Sequence, residues 1–468
     1  MKRKWILVTA MMLALTILIS LVLAGCTTAA TTTTAAAAET TEAKATTTAA
    51  AAETTEAKAT TTAATAETTE AKATEGAVLS LLHDKGGNPN FQPYFEEMGK
   101  KTEELFGIKI EPVPYPTTDV FIATVRAALP TTDAPDLFTW WSTYRMKELI
   151  DQGLLAPTTE LWDKHKDEYS EGLRNAFTFD GEAYGYSYTQ EYWPVWYNKD
   201  VFAQYNLEEP KNWAEFINVC DTLLKNGVTP MAQTVQARWP TLIMFEQFVI
   251  GEDPQLYVDL CEGRVKYSDP KVKAAFELWA SLIDKGYFTD PGIDYFVDAP
   301  NMFNNGEVGM ILAGTWYYES VFTAVGVPDE KIGAFILPSQ KDSAGKNIVL
   351  EMSPICVSAN SKNLEATLKV VDYFMGPEGN EIFARLNRSY PSNMKSATDF
   401  LPDIKVKISD TVKNENYNIL NRYWEATPTP ICEEAVDKFA EFMANPDRLD
   451  QVLVDLDVIA DKYWSANK

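Results

Sequence analysis

Histidine is nearly absent from this 468-residue chain: only His83 and His165 occur, beside five cysteines. Neither type falls into a metal-ligand spacing, with no CxxC pair and no HExxH helix, so no metal site is indicated. Glycine-rich phosphate loops, GxSxG turns and Cys/His nucleophile arrangements are missing too. These gaps remove the enzyme classes that carry such motifs and imply no cofactor. Two-carboxylate catalysis stays open on composition alone, because Asp and Glu are plentiful and their pairing in space is not legible. Positive charge is also short, with 41 Lys and Arg against 66 Asp and Glu. So acidic a surface repels phosphate backbones and anionic headgroups, which makes nucleic acid an unexpected partner and favours a neutral or cationic ligand.

What is present begins with MKRKWILVTAMMLALTILISLVLAGC. Three cations precede an apolar run closed by small residues, the layout of an export signal. The run is nearly long enough to span a bilayer, so an uncleaved anchor is the alternative. Its ending, Leu23-Ala24-Gly25-Cys26, resembles the lipobox of bacterial lipoproteins. That resemblance implies a signal peptide over 1–26, cut before Cys26, whose thiol then carries a diacylglyceryl (palmitate-type) anchor. Either way the rest of the chain lies outside the cell membrane. Cleavage of the leader removes Lys2, Arg3 and Lys4 and no acid, moving the formal charge from −25 to −28. The other cysteines, Cys220, Cys261, Cys356 and Cys432, are scattered, and are expected as buried thiols rather than a disulfide framework.

From Thr32 the motif TTTAAAAETTEAKA runs at 32–45, 46–59 and 60–73, with Thr65 replacing Ala in the third copy. Each copy opens with three threonines and has no large apolar residue, so neither a packed core nor a coiled coil is available. Residues 27–75 therefore read as a disordered stalk, a candidate for threonine O-glycosylation. As a random coil it would reach on the order of 35–42 Å.

The remaining head exceeds the size of one core and predicts two lobes. AVLSLL (77–82), GIKIEPVPY and APDLFTWW have strand patterns, and helical spacings follow each, the third helix stopping at Gly153. This βαβαβα order predicts an α/β, mostly parallel open sheet. A hairpin is expected at Asp180-Gly181. Helices over WAEFINVCDTLLKNG, VKAAFELWASLIDKG and LEATLKVVDYFMG end at glycines, the last with Leu364, Leu368, Val371 and Phe374 as its buried stripe. Strands fall at 309–314, 331–337 and 347–359, and from Asn414 the chain reads as helix almost throughout.

Aromatic residues are the distinctive feature, and GYSYTQEYWPVWYNKDVF (185–202) concentrates them around one carboxylate, Glu191. Sugar rings present apolar C–H faces to indole or phenol rings, and their hydroxyls donate well to a carboxylate. Most tryptophans in a large α/β protein are nonetheless core. Read as one strand, 191–197 puts Glu191 and Trp193 on one side and Tyr192 and Trp196 on the other. An unpaired buried carboxylate is costly, so Glu191 and Trp193 are expected to face a cleft. Trp140-Trp141 ends a strand of the kind whose carboxyl end gathers ligands, and only one of the two can point into the crevice.

Over most of the head the chain is similar to the extracytoplasmic sugar-binding proteins of ABC importers, the family of maltose-binding protein. The resemblance rests on APDLF with KELIDQGLLAPTTEL, on YGYSYTQEYWPVWYNKDVFAQYNLEEPKNWAEF, on NNGEVGMILAGTW, and on IGAFILPS followed by SANSKNLEATLKVVDYFMGPEGNEIF. Ser187 and Asn212 depart from the family's usual Pro and Thr. The resemblance implies a two-lobed, type II periplasmic-binding-protein-like fold whose crossing segments lie near 189–194, 351–354 and 389–396. The lobes are then discontinuous, 76–190 with 352–392 and 191–351 with 393–468. It implies a monomeric, non-enzymatic receptor that closes on a carbohydrate, an oligosaccharide by preference, and is recognised by membrane permease subunits. By that resemblance Glu191 and Trp316 align with ligand-binding positions, and Trp140 or Trp141, Trp239 and His83 match cleft-lining ones, while Trp193 joins the candidates from its strand position beside Glu191. Alternatives are the same fold holding a peptide or polyamine, or a surface carbohydrate-active enzyme.

Overall fold

The structure, a computed structural model, describes residues 74–467. The leader, Cys26 and the repeats up to residue 73 lie outside the described residues. Strands β1 (Val78–His83), β2 (Lys109–Pro114) and β3 (Leu137–Thr139) form a parallel set with β1 in the middle. Helices Gln92–Phe106 and Thr118–Ala128 make the connections. Gly107, in the left-handed region at φ 65°, ends the first, and Thr117 caps the second by accepting from the Val120 amide. Both are the residue types those termini favour.

A two-residue turn joins β4 (Thr178–Phe179) to β5 (Glu182–Ala183), with Asp180 and Gly181 both at positive φ, as the hairpin reading expects. Next come β6 (Tyr186–Tyr192), β7 (Val195–Asn198), β8 (Thr229–Met231), β9 (Val308–Leu312), β10 (Ile332–Phe335), β11 (Asn347–Val357) and β12 (Asn418–Asn421). β11 closes the first sheet, antiparallel to β3 at one end and parallel to β12 at the other. The second sheet has the order β10-β7-β9-β8. Around it stand Trp213–Lys225, Leu242–Glu252, Pro270–Asp284 and Thr429–Ala444.

β6 is the sixth strand of the first sheet and pairs antiparallel with β11, with Glu351 opposite Glu191 and Ser353 opposite Thr189. Gly185 starts it at φ 63°, where a Cβ would lie 2.7 Å from the Ile355 carbonyl oxygen, so only glycine fits this approach. Tyr390 bridges to Gln190 on the other side of β6.

Four expectations change. The segment 191–197 is not one strand, because Pro194 cannot continue the ladder and separates β6 from β7. APDLFTWW shortens to three residues. The C-terminal region contains β12, whose polar ends hide its strand character. In helix Leu364–Met375 the buried face is Ala366, Thr367, Val370, Val371, Phe374 and Met375, so Leu364 and Leu368 are only half-buried.

Candidate functional site

Trp193 follows β6 directly, and its amide donates to the Val349 carbonyl 3.1 Å away. Its indole is buried, edge-on to Trp239 and Trp316 with ring centroids 6.2 Å from each. Trp239 and Trp316 complete the triangle at 6.3 Å. Edge-to-face contacts of this length are favourable between aromatic quadrupoles.

Each ring is held by its own device. Trp316 comes just after β9, and its indole N–H donates to Glu351 Oε2 at 3.1 Å. Trp239 follows two non-glycine residues at positive φ, Ala237 at 60° and Arg238 at 57°. Such backbone costs on the order of 1–3 kcal/mol per residue and concentrates where a site needs it. Arg238 is clamped to helix Thr429–Ala444, donating to both oxygens of Asp437 and to the Glu433 carbonyl.

The polar side of this cluster is Arg422, Glu351 and Glu425. Arg422 donates from Nη1 to Glu351 Oε2 at 3.0 Å and from Nε and Nη2 to Glu425 at 3.0 and 2.5 Å. Its guanidinium carbon lies 5.3 Å from the Trp193 ring and 5.8 Å from Trp239. Burial works against this charge, yet Glu351 and Glu425 hold the Arg422 pKa above its ordinary value. Burial also pushes Glu425 up, and Glu246, whose Oε1 has no hydrogen-bond partner, well above the carboxylate range. Flat apolar rings therefore sit beside convergent donors and acceptors, with the buried Trp193 N–H unpartnered. That arrangement suits a ligand with an apolar face and hydroxyl edges.

Glu191, expected to face a cleft, is instead enclosed at 1% exposure. Oε1 accepts from Thr189 Oγ1 at 2.8 Å and from Ser389 Oγ, and Oε2 accepts from Thr315 Oγ1 at 2.5 Å. Three hydroxyls, from β6, from the turn after β9 and from the segment around Tyr390, thus meet on one carboxylate. The side chain ties chain segments together. Facing it is Lys405, wholly buried, whose ammonium has no hydrogen-bond partner.

Trp140 and Trp141 form a second group rather than joining the first. Both are buried, with Trp141 edge-on to Trp424 at 6.0 Å and Arg145 stacked 3.6 Å over Trp424. Arg145 also donates to Glu433, so the β3 side of the molecule is tied to helix Thr429–Ala444. His83 stands apart again. It stacks on Phe95 at 3.7 Å, its Nδ1 accepts from the Lys85 amide, and burial lowers its pKa to about 4, leaving it neutral. The three sequence candidates that the fold brings together are Trp193, Trp239 and Trp316.

Glu351, Arg422 and Glu425 carry no sequence signal of their own. Asp84 follows β1 at the carboxyl end of the sheet, accepting from Lys85 Nζ at 3.0 Å and from Thr139 Oγ1 at 3.0 Å. Its place after the strand was the one clue available.

Comparison with known proteins gives the class. The family of bacterial extracellular solute-binding proteins matches residues 88–381, and the chain belongs to it. An uncharacterized ABC transporter extracellular-binding protein of Pyrococcus horikoshii is 27% identical over 307 residues, 62% of this chain and 67% of that one. The chain spans about half the length of further relatives of this class. Among solved structures, the solute receptor AcbH, described as exclusive for β-D-galactopyranose, has a TM-score of 0.74 at 19% identity, covering 84% of this chain and 99% of its own. A chitin oligosaccharide binding protein gives 0.72 at 18%, covering 83% and 100%. These likenesses define the type II periplasmic-binding-protein-like, mixed α/β fold. The protein is a solute-binding receptor of the ABC transporter class and not an enzyme. Among the described residues no helix is long and apolar enough to cross a membrane.

Proposed function

We propose that this receptor captures a carbohydrate, an oligosaccharide by preference, and presents it to the permease of an ABC importer. The observation that carries the reading is the triangle of Trp193, Trp239 and Trp316 beside Glu351 and Arg422. Indole faces stack on pyranose C–H faces, while charge-assisted bonds take the hydroxyls. The sugars named for AcbH and the chitin oligosaccharide binding protein support it by analogy of fold. Lobes near 76–190 with 352–392 and 191–351 with 393–468 would close on the ligand. A ligand touching both shifts the population toward the closed form, which the permease then recognises. A lipid anchor on Cys26 and the repeat stalk keep the monomeric head near that permease and raise its effective concentration.

A cationic ligand is the second reading. It is favoured by the two carboxylates, Glu351 and Glu425, that flank the single guanidinium of Arg422. Calorimetry with sugars, polyamines and short peptides separates the two. The expected result is sugar binding that Trp316→Ala weakens at least about tenfold, a loss of about 1.4 kcal/mol. Binding of polyamine alone, or a Trp316→Ala variant equal to the parent, would overturn the assignment. Cys26→Ser is expected to release the protein from the membrane fraction, and retention there would remove the anchor.

A further inference from the structure

The aromatic cluster does not end inside the protein. Phe296 continues it: its ring lies 6.2 Å from Trp316 at an interplanar angle of 23°, and 6.2 Å from Trp239. The near-parallel Phe296–Trp316 pair lies within the range of offset aromatic stacking. Exposure grades outward, from buried Trp193 through half-buried Trp239 and Trp316 to Phe296 at 36% and its neighbour Val297 at 56%.

The loop that presents Phe296 is clamped on every side. Asp294 Oδ1 accepts from the amides of Phe296 at 2.7 Å and Val297 at 3.0 Å, and Asp298 accepts from the Asp294 amide. Tyr295 points inward, its hydroxyl donating to the Leu312 carbonyl at 2.6 Å and its own carbonyl accepting from Tyr317. The Thr234 hydroxyl and the Val235 amide secure the Ile293 and Pro291 carbonyls. The exposed part of this ring is apolar surface left in water, at a cost in hydrophobic free energy. Here the ring is continuous with the indole cluster, 6.2 Å from both Trp316 and Trp239, and carries that cluster out to solvent.

We infer that Phe296 is the outer stacking position of the binding site and sets ligand length, taking the second or third sugar unit of an oligosaccharide whose far end leaves the cleft past Val297. This rests on the carbohydrate reading and narrows it: a monosaccharide would fill the indoles and leave Phe296 unused. The ring offers no hydrogen bond, so this position selects for length and for an apolar ring face.

The test is calorimetry on the full chain with homologous series: glucose and its α-1,4 and β-1,4 oligomers, and N-acetylglucosamine and its oligomers. In the series that binds, affinity is expected to rise about tenfold between one unit and two or three. Phe296→Ala removes that rise with length, whereas Phe296→Trp retains it. A monosaccharide that binds as tightly as its oligomers overturns the inference while the carbohydrate reading stands. So does a Phe296→Ala variant that weakens every length equally. If no sugar of any series binds, the carbohydrate reading falls and this inference falls with it.

Discussion

Glu191→Gln probes the tie between chain segments most directly. The amide keeps the size of the carboxylate and can still meet the hydroxyls of Thr189, Thr315 and Ser389, but it loses the charge. That charge is the largest attraction felt by Lys405, with Glu319 second and Arg388 opposing. Burial holds the Lys405 ammonium down at about 8 from its ordinary 10.5, and pushes the Glu191 carboxyl up. A displacement of that size corresponds to about 3 kcal/mol spent keeping Lys405 charged at neutral pH. Removing one member of a buried pair costs about 3–5 kcal/mol, whereas replacing both by neutral groups is often harmless. Glu191→Gln is therefore expected to lose about 3 kcal/mol near pH 7, and the double variant with Lys405→Met to regain most of it.

The pH dependence has a definite sign. Because the native pKa of Lys405 lies below its unfolded value, the native state releases the proton first as pH rises. Stability then climbs between the native value and 10.5. Losing Glu191 lowers the native value further, so the deficit of Glu191→Gln shrinks between about pH 7 and about pH 9 as the ammonium discharges. Urea unfolding midpoints of the parent, both single variants and the double variant across that range measure all of this. A Glu191→Gln variant as stable as the parent at every pH would refute the reasoning. So would a double variant no better than Glu191→Gln.

Three further outcomes follow from the same geometry. Glu433→Gln leaves the buried Arg145 and its neighbour Arg126 without their shared carboxylate. It is expected to raise the radius of gyration of the ligand-free protein in X-ray scattering, and an unchanged radius would separate this ion pair from closure. His83 holds its native pKa near 4, below the unfolded 6.5, so its contribution falls by up to about 3 kcal/mol as pH drops from 6.5 to 4. His83→Leu should be less acid-sensitive in unfolding scans than the parent, and equal sensitivity counts against that assignment. Cys261 and Cys432 are free and buried, their thiols pushed up to about 12. They should resist thiol reagents until denaturant is added, and reductant should not move the melting temperature.

Much of the fold was legible because periodicity reports burial. β1, helix Gln92–Phe106 and the glycine-stopped helices ending at Lys225 and Asp284 stand where apolar spacing puts them. What periodicity cannot report is pairing. β8 is three residues long and β12 carries asparagine at both ends; each is a strand because a neighbour supplies its ladder. The same limit governs the candidate site. Alternation beside Glu191 pointed to Trp193 and the family resemblance pointed to Trp239 and Trp316, while residue type alone favoured core for each. Arg422 and Glu351 are ordinary charges in the sequence, and they matter only because the fold lays them against those rings.

Glu191 shows why facing cannot be deduced for a charge as it can for a hydrocarbon. Alternation argued that a carboxylate in so aromatic a strand must seek solvent, because an unpaired buried charge is prohibitive. The premise holds, but the pairing came from far along the chain. Thr315 and Ser389 bring hydroxyls and Lys405 brings a cation, none of them within 120 residues of Glu191 in sequence. Opposite it on β11, Glu351 is a second carboxylate, which unaided would repel the first across the ladder. Each acid is drawn to a different set of partners, Glu351 to Arg422 and Trp316, Glu191 to the hydroxyls and Lys405. One strand pair therefore carries both a candidate ligand-facing acid and a structural one. Which is which depends on residues that no local pattern connects.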